Sequence, residues 1–272
     1  MADLIATRTG AARHAFAVYR RSLAAHFRSM VEYPADFWVM SSAGALWQIL
    51  QFAFITILFA NVSAVAGWGY HEMLVLVGFL TLGGATTAVF CDGVWSIGEL
   101  VIKGDMDYRI TRPAPVIVQV ASLHVGMQAF GELTLGAAML AYGWIGASLS
   151  PALIPLALFM LACSIVIETA VLTALCAVNF WVKGSMSVFA FLVNDLQNDV
   201  LRFPLGIYPA AVRLVATFVV PLAFVSFVPV EVLTGRASEW WALGPPLAAA
   251  ATVAVAVLTV RGGLRSYDSA GH

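Results

Sequence analysis

Residues 37–60 read FWVMSSAGALWQILQFAFITILFA, and this stretch decides the class of fold. It carries no charged side chain, and a helix of this length, rising about 1.5 Å per residue, crosses a hydrocarbon layer of ~30 Å. The uncharged character continues as far as Tyr70. The stretch therefore predicts a membrane-spanning helix at about Phe37 to Ala60.

The whole chain has the composition of a membrane protein. Of its 272 residues, 61% are hydrophobic and 11% are charged, whereas about a quarter of the residues of a soluble domain are charged. The mean hydropathy is +0.89. Long uncharged runs argue against the alternating segments of about 10 residues that build outer-membrane barrels. A net charge of −1 argues against nucleic acid as a partner, which needs a concentrated basic surface. We therefore predict an all-α, polytopic protein whose surroundings are the lipid bilayer.

Five spans follow from long apolar runs that contain at most one acid each. After the first, we place them at about Met73 to Cys91, Ala114 to Ala147, Pro151 to Val182 and Trp240 to Val260.

The segment between Lys183 and Trp240 leaves two interpretations open. In the first, residues 185–203 form the fifth span, and residues 204–239 fold back as a re-entrant hairpin that is buried in protein. In the second, residues 185–203 lie in the membrane interface, and residues 211–228 form the fifth span. Both interpretations give six crossings, and we favour the first. The breaks of the hairpin would come from prolines, which interrupt helices: Pro204, Pro209, Pro221 and Pro229.

The N-terminal residues 1–36 predict an amphipathic helix. One face carries apolar side chains at helical spacing, and arginines occupy the other positions. Such a helix lies in the membrane interface, although packing on a partner is an alternative. Pro34 marks its expected end. The apolar face comprises Phe16, Tyr19, Leu23, Phe27 and Met30.

The distribution of Lys and Arg predicts the orientation. Eleven of the 14 Lys and Arg residues lie in the N-terminal segment, in the loop after span two, at Lys183 and in the tail 261–272. Positive charge accumulates on the cytoplasmic side. We therefore expect both termini in the cytoplasm. The predicted organisation is an interface helix (1–36), a six-span domain (37–260) and a cytoplasmic tail (261–272).

No ATP-binding loop is encoded in these residues. A phosphate-binding P-loop needs Gly-Lys followed by Ser or Thr. The two lysines, Lys103 and Lys183, follow Ile102 and Val182. If ATP drives the protein, another polypeptide binds it, and we do not expect this chain to be an enzyme.

Two groups of residues carry a family resemblance. The first is the stretch GDMDYRITRP at residues 104–113, after span two. The second consists of FPL at 203–205, Tyr208-Pro209, Pro221 and the stretch PVEVLTG at 229–235. On these motifs, the chain resembles the bacterial permeases of type-2 ABC exporters over nearly its whole length.

The resemblance implies an export permease in the bacterial inner (plasma) membrane. It implies two separate ATPase subunits that hold ATP and Mg, and a second permease, either another copy or a related six-span chain. No cofactor is implied on this chain. The resemblance also places a cytoplasmic coupling helix at about 94–112, with an apolar anchor and a charged rim. Its expected contact residues are Trp95, Glu99, Lys103, Asp105, Asp107, Arg109 and Arg112.

Polar residues inside the apolar segments are the candidates for a substrate pathway, because ionisable groups in a membrane are costly and by default functional. Glu132 lies in span three and Glu168 in span four, and the segment 194–199 forms a polar helical stripe. Packing between helices is the alternative role. A proton relay in an ion-coupled secondary carrier is the alternative function. The scattered histidines and cysteines predict no metal site. The stripe contains Asn194, Asp195, Asn198 and Asp199.

Overall fold

The structure is a computed structural model that describes residues 2–184 and 187–268, with side chains from residue 13 onward and without those of 199 and 200. Within these ranges the chain is helical, apart from turns and an isolated β-bridge between Val65 and Trp68. The prediction of an all-α polytopic membrane protein is confirmed. The α-helices are α1 Ala2–Glu32, α2 Pro34–Asn61, α3 Tyr70–Cys91, α4 Ile97–Lys103, α5 Asp105–Ile110, α6 Val116–Ala121, α7 Gln128–Gly146, α8 Ile154–Ala177, α9 Asn179–Val182, α10 Val188–Val200, α11 Ala210–Leu214, α12 Phe227–Leu233 and α13 Gly244–Arg265.

Helix α3 is the centre of the bundle. It packs against α2, α7, α8 and α12, and α13 packs on the outside of α8. Leu74, Leu76 and Phe79 of α3 are almost completely buried. Because α3 has protein around most of its circumference, it reads as a continuous apolar run without an amphipathic stripe.

Glycines bring α2 and α7 into backbone contact. A Cβ atom on Gly131 of α7 would lie 1.9 Å from the carbonyl oxygen of Ser41, and one on Gly44 of α2 would lie 2.0 Å from that of Gln128. Lipid tails are as apolar as the side chains, so close packing at small residues stabilises helix pairs in a membrane. The two glycines therefore fix the α2–α7 pair.

Two ends of the bundle are defined by their contacts. At one end, called the α1 end, Tyr19 of α1 donates a hydrogen bond to the carbonyl oxygen of Phe90 (2.6 Å), and Ser22 donates one to that of Ser122 (2.8 Å). The distal end carries the α2–α3 loop, residues 62–69. Helices α2, α3, α7, α8 and α13 run between these ends.

The N-terminal helix packs on its own bundle through most of its predicted apolar face. Leu23 is buried among Ala85, Val89, Val125 and Ala129. Tyr19 and Met30 join this cluster, and the ring of Phe27 meets that of Phe130 edge-on at 6.2 Å. Phe16 remains 66% exposed. Helix α1 ends at Glu32, and α2 begins at Pro34.

The predicted third span is interrupted. Helix α6 ends at Ala121, and the chain turns before α7 begins at Gln128. The turn is held against α3, because the backbone N–H of Gly126 donates to the carbonyl oxygen of Ala88 at 3.0 Å. The apolar residues before this turn cover the α1 end, so α7 alone runs along the bundle in this part of the chain. Its 19 residues give a rise of about 28 Å.

The chain from α10 to residue 207 passes from one end of the bundle to the other. Near the α1 end, the ring of Phe191 lies 4.7 Å from that of Trp95. At the distal end, Gly206 approaches Ala66 of the α2–α3 loop. Helix α10 has only 13 residues, about 20 Å, so it is shorter than the predicted span. The remaining distance is covered by residues after Val200 that are not α-helical. Proline disfavours α-helical geometry at the residue before it, so the α-helix does not continue to Pro204.

Residues 208–236 leave the distal end and return to it. Helix α11 and the π-helix Val215–Val219 form one arm, and residues Leu222–Leu233 form the other, at an angle of 78°. The tip of this bend lies inside the bundle, where Ser164 donates a hydrogen bond to the carbonyl oxygen of Val225 at 2.6 Å. The re-entrant hairpin at residues 204–239 stays a prediction.

An ion pair holds the second arm at the distal end. The guanidinium of Arg236 binds both carboxylate oxygens of Glu72 (2.6 and 2.9 Å from Nη2) and the carbonyl oxygen of Gly67 (2.8 Å). It also lies 5.0 Å from the centre of the Trp68 ring. The charges therefore attach the hairpin to the start of α3.

Among the residues that the structure describes, four helical stretches are long and apolar enough to cross a membrane, and the bent pair would make a fifth. The four are Pro34–Asn61, Tyr70–Lys103, Pro151–Val182 and Glu239–Arg265.

We predict that Gly131→Ala separates α7 from α2 and lowers the thermal unfolding temperature in detergent. The added methyl group meets backbone, which cannot move aside as a side chain can, and overpacking of this kind costs about 1 to 3 kcal/mol. Gly84→Ala is the matched control, because its new methyl group would meet neighbouring atoms at an ordinary 3.8 Å. Equal unfolding temperatures for both variants would contradict the close packing.

We predict that Arg236→Gln loosens the hairpin by about 1 to 2 kcal/mol, the magnitude of a charge-assisted hydrogen-bond pair. Thermal unfolding and cleavage of the 234–238 turn by protease measure the effect. Arg213→Gln, which removes an exposed arginine from the other arm, should leave both unchanged. Exchange of the charges, as Glu72→Arg with Arg236→Glu, should restore part of the loss. No gain over Arg236→Gln alone would argue against the pair.

Candidate functional site

A cavity of about 460 Å³ lies between α2, α3, α7, α8 and α10. Five of the six predicted pathway residues line it: Glu132, Glu168, Asn194, Asp195 and Asn198. The side chain of Asp199 lies outside the described part of the chain. Acids from α7 and α8 thus face the polar stripe of α10 across one space.

Glu168 has the most enclosed position of these acids. It is 5% exposed, and its Oε1 accepts a hydrogen bond from Gln197 of α10. Helix α3 leaves room for the carboxylate by having glycine opposite it. A Cβ atom on Gly83 would lie 2.8 Å from Glu168 Oε2. Glu168 therefore connects α3, α8 and α10.

Side-chain amides extend the polar lining beyond the predicted residues. Gln48 of α2 is buried and donates to Thr81 Oγ1 of α3 at 3.0 Å. Gln51 and Gln128 line the same cavity. The sequence alone indicates two of these glutamines as candidates. Gln48 and Gln51 are three residues apart on one helix face, inside a segment without charge.

Trp95 and most of the apolar residues of the predicted coupling element face inward, which corrects their expected role as a partner anchor, whereas Ile102 remains exposed. Ile97, Leu100 and Val101 are buried in a core cluster with residues of α6, α8 and α9. Trp95 contacts Phe191 and lines the cavity. They are covered because α4 packs against α8 and α9.

The outward side of this element remains available at the α1 end. Gly104, with φ = +75°, ends α4 and turns the chain into α5. On α4, Lys103 pairs with Glu99 at 2.5 Å. We call the exposed residues of this element the α4–α5 surface: Glu99, Ile102, Lys103, Asp105, Tyr108, Ile110 and Arg112.

Tyr108 is the most exposed aromatic residue of the α4–α5 surface. It is 64% exposed, and the guanidinium of Arg112 lies 4.1 Å from the centre of its ring. The hydrogen bond from Arg112 and its positive charge lower the pKa of Tyr108. The surface thus offers an aromatic group with charges of both signs around it.

Asp107 and Arg109 sit deeper than the other charged residues of the element, and both are half-buried. Burial, followed by the nearby carboxylate of Asp107, raises the pKa of Tyr267 to about 12. The backbone carbonyl of Arg109 accepts a hydrogen bond from Gln119 at 3.0 Å. These two predicted contact residues therefore attach α5 to the C-terminal segment and to α6.

The four prolines of the predicted hairpin lie in the part of the chain that goes into the bundle from the distal end and returns to that end. Pro204 and Pro209 precede its first arm, Pro221 lies at the bend, and Pro229 is within α12. Among the described residues, no group of three or more His, Cys, Asp or Glu side chains could hold a metal ion.

Comparison with known proteins adds the family. Residues 45–271 match the sequence model of a family described as ABC-2 family transporter protein. Searches of curated proteins and of solved structures found no match. The match covers α3 to α13 and α2 from residue 45 onward, including the whole cavity lining and the α4–α5 surface. The chain belongs to the ABC-2 family of membrane transport proteins.

Proposed function

We propose that this chain is the permease subunit of an ATP-driven exporter. Separate ATPase subunits bind ATP and Mg and dock on the α4–α5 surface. A second permease, either another copy or a related chain, completes the pathway. Six crossings are formed by α2, α3, α7, α8, the segment from α10 to residue 207, and α13. The α1 end and both termini face the cytoplasm.

The continuity of α3 with the α4–α5 surface carries this proposal. One helical stretch, Tyr70–Lys103, joins the distal end, the cavity and the exposed surface. Asp92 and Trp95 lie in this stretch and line the cavity. This stretch changes from α-helix to 3-10 helix at Asp92–Ser96 but stays helical, and a force on the α4–α5 surface therefore reaches the cavity wall along it.

Trp95 connects this helical stretch sideways to α10. Its ring contacts Phe191 at the start of α10, and α10 bears the polar stripe. A helix that has only sparse contacts with the bundle moves more easily than one that is packed on all sides. Helix α10 contacts α8 over a small area and leaves its apolar face exposed. We infer that closure of the ATPase pair shifts α10 relative to α3 and changes access to the cavity.

Purification of the tagged chain from its native membrane, followed by mass spectrometry, tests the proposal. We expect a P-loop ATPase at stoichiometric amounts, together with the second permease if that is a different chain. Uptake or export driven by an ion gradient in vesicles without ATP would instead favour the ion-coupled carrier, with Glu132 and Glu168 as the first acids to replace.

We predict that Tyr108→Ala lowers the amount of co-purified ATPase, with a loss of affinity of about 2 kcal/mol, because exposed aromatic residues at an interface carry much of its binding energy. Trp240→Ala is the matched control, since it removes an aromatic residue that is 81% exposed near the distal end. Equal loss in both variants, or no loss in Tyr108→Ala, would place the docking surface elsewhere.

We predict that Trp95→Ala keeps the ATPase bound but reduces the coupling of ATP hydrolysis to transport. The substitution removes the contact with Phe191 and leaves the exposed residues of α4 and α5 in place. The ratio of transport to ATP hydrolysis in proteoliposomes measures the effect. An unchanged ratio would show that motion does not pass through this ring pair.

A further inference from the structure

The charges that line the cavity are mainly negative. Among the described residues of the lining, four are acids, namely Asp92, Glu132, Glu168 and Asp195, and one is basic, Arg202. None of the lining residues described is lysine or histidine. An excess of carboxylates in a space between membrane helices attracts positive charge, because lipid around the bundle screens them poorly.

The carboxylate of Glu168 is incompletely satisfied within the described part of the chain. Its Oε1 is bound to Gln197, whereas Oε2 is buried without a hydrogen-bond partner. A buried polar atom without a partner is costly, and native proteins keep few of them. Because Glu168 lines the cavity, a ligand in this space can supply the missing partner.

Aromatic rings contribute to the same lining. Trp47 of α2 and Trp95 after α3 both border the cavity. Indole faces attract cations through the ring quadrupole and also offer apolar area. The volume, about 460 Å³, is within the range of small-molecule sites. Acids and indoles together fit a ligand that is both positively charged and hydrophobic.

We propose that this cavity binds a hydrophobic organic cation, with Glu168 and Glu132 as counter-charges and the two indoles as apolar contacts. As the transported substrate class, this assignment rests on the proposed exporter function. Binding itself needs neither ATP nor a partner, because all the residues named are on this chain.

The experiment compares two probe ions of the same shape and opposite charge. The full-length chain is placed in nanodiscs of phosphatidylcholine, and the binding of tetraphenylphosphonium and tetraphenylborate is measured by equilibrium dialysis against empty nanodiscs. We expect saturable binding of the phosphonium and none of the borate beyond lipid partition. Equal binding of both ions, or saturable binding of neither, would overturn the proposal without any variant being needed.

Charge-removing variants then locate the site. We expect Glu168→Gln and Glu132→Gln, on different helices, each to weaken phosphonium binding about tenfold, since each removes a counter-charge at close range. Glu239→Gln is the matched control, because it makes the same change at an exposed residue outside the cavity. Full affinity in a folded Glu132→Gln and a folded Glu168→Gln would overturn the assignment to this cavity.

The outcome is separable from that of the exporter proposal. Phosphonium binding by a chain that co-purifies with no ATPase would support the cation site and contradict the exporter. A co-purifying ATPase with no phosphonium binding would support the exporter and contradict the cation site.

Discussion

The close approach of α7 to α2 is the constraint on which the remaining structure depends. In water the burial of apolar surface would hold such helices together, but in lipid that contribution largely disappears. Gly44 and Gly131 let the two backbones touch, and on α3 the Gly78 position fits directly against Leu140 of α7. With α2, α3 and α7 fixed in this way, α8 packs on the free side of α3. The cavity is the space that these helices leave on the side covered by α10.

Several long polar side chains of this bundle share one space. Gln48, Thr81, Glu168 and Gln197 all border one space, and most of the other surface that faces lipid is apolar. Each of these groups would cost free energy if it faced hydrocarbon alone. Grouping them lets water or a ligand satisfy several at once. The arrangement therefore combines two requirements, solvation of polar side chains at membrane depth and a place for a transported molecule.

The class of fold and the polar residues of the cavity were both predictable from the sequence, but from different features of it. Apolar length was sufficient for α2, α3, α8 and α13, because a span of about 20 apolar residues with few or no charges is needed to cross hydrocarbon. The acids Glu132 and Glu168 and the stripe of α10 were visible because they are rare in such segments. That they meet in one space depends on helix packing, which no local pattern encodes.

Other features could not be read from the chain. Ile97, Leu100 and Val101 have the same composition as an exposed partner anchor, and only the packing of α4 on α8 and α9 shows that they face the bundle. The interruption before α7 was hidden because the residues on both sides of it are apolar. The length of α10 was overestimated, since the distance to the distal end is covered partly by non-helical chain. These differences arise where the path of the chain, and not its polarity, decides the structure.

The hairpin tip has a consequence for the order of assembly in the membrane. Residues Leu222, Ala223 and Val225 are non-helical or in a single short turn, and they are buried against α3 and α8. Their backbone depends on neighbours, for example on the hydroxyl of Ser164, for hydrogen bonds that lipid does not supply. During biogenesis this tip has to enter after α3 and α8 have come together. Residues 208–236 are therefore expected to be the last part of the protein to fold, and the part most dependent on an intact bundle.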